Sequence, residues 1–403
     1  AFPLQDATKP AVELDEILQS QFNHLTRLLK DDTAVGVRVV AVHGVCRILA
    51  LFWDLIPQVT TNSLLAILVN DLAHDASANS VRVAVLVGLK YVLAQNTSTG
   101  LVTMLKNLLK PLAPLLHDGS ERVRVAFLEL LLAVSKLRAL PWQSCVAPSG
   151  LLARLPLERP DVQMRLTRLL LPLYLPSGKP AQQVAHCEAF VALALAATPA
   201  AKALLSHAPK FATSAAASRL LRVHLGAILS DAPATDLLDD ATAAASHPPR
   251  SPPLPLGELV AALEAFAVHV EAVAPTLAAR AERAAAPPPK RKGGKRASAA
   301  AADKEAADAS DDDDDDDDDE SGASAARSAL CEVLDADAMK RLTELSKPSI
   351  AARRALTHIA AWLPAEMVPD SADCLRQIAK VPSTAGTARL APHIACACAW
   401  NLE

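Results

Sequence analysis

Aromatic side chains make up only 3% of the 403 residues, and there are just 13 glycines. A sandwich or barrel of short strands draws on aromatic or β-branched residues and on glycine-rich turns, so both shortages point away from a sheet protein. Long apolar runs are missing too. The longest, "AFVALALAATPAA" (189–201), is bounded by Glu188 and Lys202 and broken by Pro199, short of the roughly 20 residues that span a bilayer. No glycine-rich phosphate loop, nucleophile elbow or pair of Cys-x-x-Cys elements occurs, which leaves no motif for nucleotide chemistry, acyl transfer or a zinc ribbon. His393, Cys396 and Cys398 in "HIACAC" stand at offsets that do not gather three ligands on one helix face, and the histidines within helical patterns (His43, His224, His269) read as structural. We expect no catalytic residue, no metal site, no cofactor and no enzyme. Seven scattered cysteines without framework spacing, and no charged-then-apolar leader, suggest a reducing compartment.

Leucine and alanine are plentiful instead. With 51% hydrophobic residues the chain can bury a large core, and its composition predicts an all-α protein. Charge is unevenly placed. Residues 76–222 hold 17 Lys/Arg against 6 Asp/Glu, a net +11, whereas residues 303–340 hold 3 against 16, a net −13.

The segment "LLHDGSERVRVAFLELLLAV" (115–134) has two near-copies upstream, "LLKDDTAVGVRVVAVHGVCRIL" (28–49) and "LAHDASANSVRVAVLVGLKYVL" (72–93). Each runs from leucines through an aspartate and a polar turn into Val-Arg-Val. The arginines Arg38, Arg82 and Arg124 are 44 and 42 residues apart, within the period of HEAT or armadillo units. Counted from the valine before each arginine, offsets 0, 3, 4, 7, 8 and 11 form one helical stripe: Val37, Val40, Ala41, Gly44, Val45, Ile48 in the first copy, with equivalents from Val81 to Val92 and from Val123 to Val134. A second helical pattern precedes each stripe: Leu14, Ile17, Leu18, Leu25 and Leu29; Leu64, Leu65, Leu68 and Leu72; Leu101, Leu105, Leu108, Leu112 and Leu116. The fold expected is an α-solenoid of HEAT-type helix pairs, clearest at 12–50, 58–94 and 101–136 and weaker over 151–230. A worn fourth copy has Arg165 at the template position and Pro172 set to end its helix.

Asp32, Asp75 and Asp118 stand in the turn before the second helix of each pair. There a carboxylate can accept the free amides of the helix start, and Arg38, Arg82 and Arg124 can pair with the aspartate of a neighbouring unit to form a structural ladder. Lys106, Lys110, Arg122, Arg154, Arg159, Arg168 and Arg222 are the candidate DNA-binding residues. They either follow a phosphate backbone or lie dispersed around the array as solubilising charge.

The array is expected to span 1–240. A proline-rich linker follows at 241–257, then an amphipathic helix at 258–286 and a disordered low-complexity segment at 287–326, basic then acidic. That segment holds a candidate nuclear-import tract, Lys290, Arg291, Lys292, Lys295 and Arg296, and nine consecutive aspartates at 311–319, beside which Ser310 would suit an acid-directed kinase. Residues 327–403 read as a second helical module or a resumption of the array, and the whole chain reads as a fragment of a longer polypeptide.

"GVCRILALFWDLIP" (44–57), "HDGSERVRVAFLELL" (117–131) and "LLARLPLERPDVQMRLTRLLLPLYLP" (151–176) resemble the HEAT-repeat core of the G-type non-SMC subunits of condensin II, over about residues 15–230. The resemblance implies a nuclear, chromosome-associated scaffold without enzymatic activity, acting in mitotic chromosome condensation and segregation. It implies as partners the kleisin subunit, the SMC ATPase heterodimer, the second HEAT subunit and double-stranded DNA, with no membrane. It assigns no individual DNA-contacting residue. The other reading of a HEAT array is an adaptor, such as a nuclear-transport receptor or a phosphatase scaffold, that binds protein partners.

Overall fold

A computed structural model describes residues 11–96, 99–137, 139–196, 199–238, 247–285, 330–331 and 333–368. The described residues are helical and contain no β-strand, only an isolated bridge between Ser230 and Pro249. They fall into two compact units that divide at Leu170/Leu171, inside the stretch expected as one array.

The first unit is built from α1 (Ala11–Lys30), α2 (Val35–Leu51), α3 (Gln58–Ala66), α4 (Asn79–Gln95), α5 (Thr99–Leu108), α6 (Glu121–Val134), α7 (Pro148–Arg154) and α8 (Pro160–Leu170). α1 packs on α2, α2 on α4, α4 on α6 and α6 on α8. The apolar stripe explains this order. Val81, Ala84, Val85, Gly88, Leu89 and Val92 of α4 are all buried, as are Val123, Ala126, Phe127, Leu130, Leu131 and Val134 of α6. Each fully buried aliphatic side chain contributes about 1.5–3 kcal/mol of transfer free energy. Gly88 packs directly against α2, and a β-carbon there would overlap Cys46 Sγ. α8 stops at Leu170, ahead of Pro172.

The second unit contains α9 (Pro180–Ala196), α10 (Pro199–His207), α11 (Ser214–Leu229), α12 (Ala234–Leu237), α13 (Leu256–Ala285), α14 (Ala336–Ser346) and α15 (Ile350–Ala360). Here one long helix does the gathering: α9, α10, α11 and α15 all pack on α13. At its centre His224 of α11 and His269 of α13 are wholly buried, Nδ1 to Nδ1 at 3.2 Å, with His224 edge-on to Phe190 and Phe266 and His269 edge-on to Phe190. Burial lowers both imidazoles, His269 to about 3, and the neighbouring His269 lowers His224 further. Arg341 of α14 donates to the carbonyls of Leu229 and His247, at 2.8 and 3.0 Å, and so ties α14 to the end of α11.

The basic tract 290–296, Ser310, the aspartates 311–319 and the residues from 369 onward, including His393, Cys396 and Cys398, lie outside the described residues. No described helix is long and apolar enough to cross a membrane, and no described group of three His, Cys, Asp or Glu could hold a metal ion. Cys46, Cys145, Cys187 and Cys331 are free thiols.

Candidate nucleic-acid interface and the ion ladder behind it

Each template arginine is the fourth residue of its helix and makes the same two bonds. Arg38 donates to the carbonyl of Asp32 in its own turn at 2.8 Å, and its Nη2 lies 3.1 Å from the Asp75 carboxylate and 2.6 Å from Ser77 Oγ in the next. Arg82 donates to the Asp75 carbonyl at 2.6 Å and holds Asp118 through Nε and Nη2, at 2.9 and 3.1 Å. Arg124 donates to the Asp118 carbonyl at 2.8 Å and takes Glu158 in a two-point grip, at 2.6 and 2.9 Å. The side chains of these pairs are 2–16% exposed, so solvent screens them far less than a surface pair.

The aspartates differ from expectation in one respect. Their carboxylates accept from amides of the turn, Ala34 for Asp32, Ser77 and Ala78 for Asp75, Ser120 for Asp118, and not from the first turn of the helix. The helix-capping residues of α2, α4 and α6 make no side-chain cap bond. The turn is held closed, its carbonyl is presented to the arginine of the same unit, and the second carboxylate oxygen is left for the neighbour.

Burial works to raise the Asp75 carboxyl, but the Ser77 hydroxyl, the Ala78 and Ser77 amides and the Arg38 guanidinium outweigh it and hold the group below its ordinary value. Glu158 follows the same pattern, with burial opposed by hydrogen bonds from Arg124 and Arg154, and so does Glu129, opposed by Lys90 and Arg165. The Glu158 hydrogen bond in turn raises Arg124.

Four of the seven candidate DNA-binding residues, Lys106, Lys110, Arg122 and Arg168, are exposed in the first unit and have no ion-pair partner among the described residues. Lys106 lies in the last turn of α5 and Lys110 two residues past its end. Arg154 is committed elsewhere: its Nε donates to the buried Glu158 at 2.6 Å. Arg159 is exposed but rests 3.6 Å from Glu121, the residue before Arg122. Arg222 is half-buried on α11 and belongs to the second unit. Arg165, at the template position of the worn fourth copy, leaves the ladder and bonds Glu129 on α6 at 2.9 Å.

Glu158 is the residue that sequence reasoning missed. A signal existed: Asp32, Asp75, Asp118 and Glu158 are 43, 43 and 40 residues apart, each ahead of a helix. A glutamate in "PLERP" does not match an aspartate template, but its longer arm reaches two guanidinium groups at once.

No protein-family model matches the chain. Condensin-2 complex subunit G2 of Xenopus laevis is 36% identical over 193 residues, 48% of this chain and 16% of the relative. The subunits G2 of Danio rerio and Homo sapiens are 34% and 32% identical over 223 residues, 55% of this chain and 19% of each relative. About half of the chain is therefore homologous to the G2 subunits of vertebrate condensin-2 complexes, of whose length the matched stretch is a fifth or less.

Proposed function

We propose that this chain is part of a non-enzymatic scaffold subunit of condensin II, in which a HEAT-type solenoid binds the kleisin subunit and duplex DNA. Homology to G2 subunits over about half the chain is the observation that carries this reading. The proposal brings with it the SMC ATPase heterodimer and the second HEAT subunit as partners, chromosomes in the nucleus as location, and mitotic condensation and segregation as the process. The uniform stacking of α2, α4 and α6 supports the solenoid. Lys106, Lys110, Arg122 and Arg168 support the DNA contact, because they carry charge that no described acid neutralises.

DNA binding measured against salt tests it. Neutralising Lys106, Lys110 and Arg122 together should lower the slope of log affinity against log salt by about 0.9 for each phosphate that the variant no longer pairs. An unchanged slope, or no binding at low salt, would sink the DNA reading. Failure of the chain to co-purify with a kleisin segment would sink the kleisin reading.

One observation favours the adaptor reading. Between α4 and α6 lies an apolar cleft of about 620 Å³, floored by Val83, Val87 and Val125, with Tyr91 on its wall. Its size suits side chains of a peptide better than a phosphate backbone. A chain that binds protein partners but not DNA would take this second reading.

A further inference from the structure

The proline-rich strap "HPPRSPPLP" (247–255), directly ahead of α13, is fastened to the end of α11 by three polar anchors. Arg341 of α14 bridges the carbonyls of His247 and Leu229. The Arg250 amide donates to the Leu229 carbonyl at 3.3 Å, and its guanidinium reaches the carbonyls of Ala227 and Ser230 at 3.2 and 3.3 Å. The third anchor is Asp231, two residues past α11, which divides its carboxylate between neighbouring strap residues. Oδ1 lies 3.0 Å from Arg250 Nε, and Oδ2 accepts the Ser251 amide at 2.9 Å. Between strap and helix is a cleft of about 480 Å³, lined by Pro253 and Leu254 on one side and by the buried Ile228 and Leu229 on the other.

Ser251 is exposed, as are Pro249, Pro252 and Pro253 beside it, and its hydroxyl makes no hydrogen bond among the described residues. Proline follows it directly and also stands two residues before it. Because proline has a fixed φ and no amide hydrogen, a kinase groove that is apolar and offers no acceptor at those positions selects it. Ser251-Pro252 is the one Ser-Pro dipeptide in the sequence, and Thr198 of the one Thr-Pro lies outside the described residues, so Ser251 is the single described acceptor for such an enzyme.

We infer that Ser251 is the acceptor of a proline-directed kinase and that its phosphorylation unlatches the strap from α11. The γ-phosphoryl group of ATP passes to Ser251 Oγ, which gives up its proton to the kinase's base, and ADP leaves. At pH 7 the product carries a charge of about −1.5 to −2. Asp231 is bonded to the amide of that same residue, so the new charge stands beside a carboxylate and competes with it for Arg250. Asp231 relieves the repulsion by releasing the Ser251 amide. Arg250, turning to the phosphate, gives up the carbonyls of Ala227 and Ser230. Each response removes an anchor, and loss of both opens the strap over Ile228 and Leu229. The inference concerns the second unit and stands apart from DNA or kleisin binding.

The test treats the 403-residue chain with a purified proline-directed kinase and MgATP, then reads peptides by mass spectrometry. Phosphate should appear on Ser251. Hydrogen exchange in peptides covering 226–231 and 247–255 should quicken about fivefold or more, with α4 and α6 unchanged. Ser251→Ala should keep the unmodified rate before and after the kinase. In Asp231→Asn both the ion pair and the repulsion are gone, so the strap should exchange faster from the start and change less than about twofold on phosphorylation. Absence of phosphate from Ser251 would overturn the site. Unchanged or slower exchange in the phosphorylated chain would overturn the unlatching, and so would an equal quickening in Asp231→Asn.

Discussion

The two units hold their helices together by opposite means. In the first, neighbouring pairs repeat one register, and each junction has a partly buried arginine gripping an acid of the next turn. In the second, a single helix, α13, serves four others, and its centre is apolar except for two imidazoles facing each other. Polar contacts placed at one height fix the register between similar helices that could otherwise slide by a turn. A core gathered around one unlike helix needs no such device.

Acid separates the two units most strongly. The folded-state pKa of His224 and His269 lies below the ordinary histidine value, so between about pH 6.5 and the folded value the unfolded chain binds protons that the folded chain does not. Stability from this source is complete above pH 6.5 and falls as pH drops through that window. At pH 5 His269 costs about 2 kcal/mol, and His224 acts in the same direction. Asp75, Glu129 and Glu158 are also lowered, but from a carboxylate starting value, so their contribution persists to about pH 4.5 and is lost only below it. Hydrogen exchange read by mass spectrometry at pH 7 and pH 5, with rates corrected for pH, should show α11 and α13 loosening while α4 and α6 hold. Replacing both histidines with leucine should remove the difference; equal loosening of the two units would refute the contrast.

Glu158→Ala comes next in size. It strands Arg124 and Arg154, both largely shielded, and should cost about 3 kcal/mol, visible as a lower urea midpoint and faster exchange in α6 and α8. A loss below about 1 kcal/mol would reduce the ladder to surface decoration. Smaller again is Gly88→Ala, which pushes a methyl group into Cys46 Sγ and should cost about 2 kcal/mol. Cys46→Ala in the same chain should recover part of that loss, and a strictly additive pair would show that α2 and α4 do not meet as described.

The sequence displayed the first unit better than the second, for a physical reason. A repeat writes each contact three times, so Val-Arg-Val at a period of 42–44 residues and the stripe behind it could be found by overlaying the copies. Occupancy was invisible: Val40 and Ala84 are equivalent in pattern, yet one is open and the other buried, because that depends on what stands beside the helix. The role of the aspartates was half legible, since spacing placed them before each helix but did not reveal that they close a turn. Arg154 looked like any surface cation until its partner, Glu158, proved to be inside the structure. In the second unit His224 and His269 are 45 residues apart with no repeated neighbour to betray the pairing, and α13 was readable as amphipathic but not as the element on which four others pack.

The position of the ladder also has a mechanical consequence. Arg38, Arg82 and Arg124 all sit at the first turn of α2, α4 and α6, so the bonds that tie one pair to the next are concentrated along one edge of the stack. Farther along the helices the charge contacts are more exposed: Lys90 of α4 and Arg165 of α8 both reach Glu129 of α6 at 2.9 Å, with 34–44% of these side chains open to solvent. The row of arginines is therefore the spine of the first unit: its pairs are the shielded ones, so salt or a load that separates the helices should release the exposed Glu129 pairs before it releases the ladder.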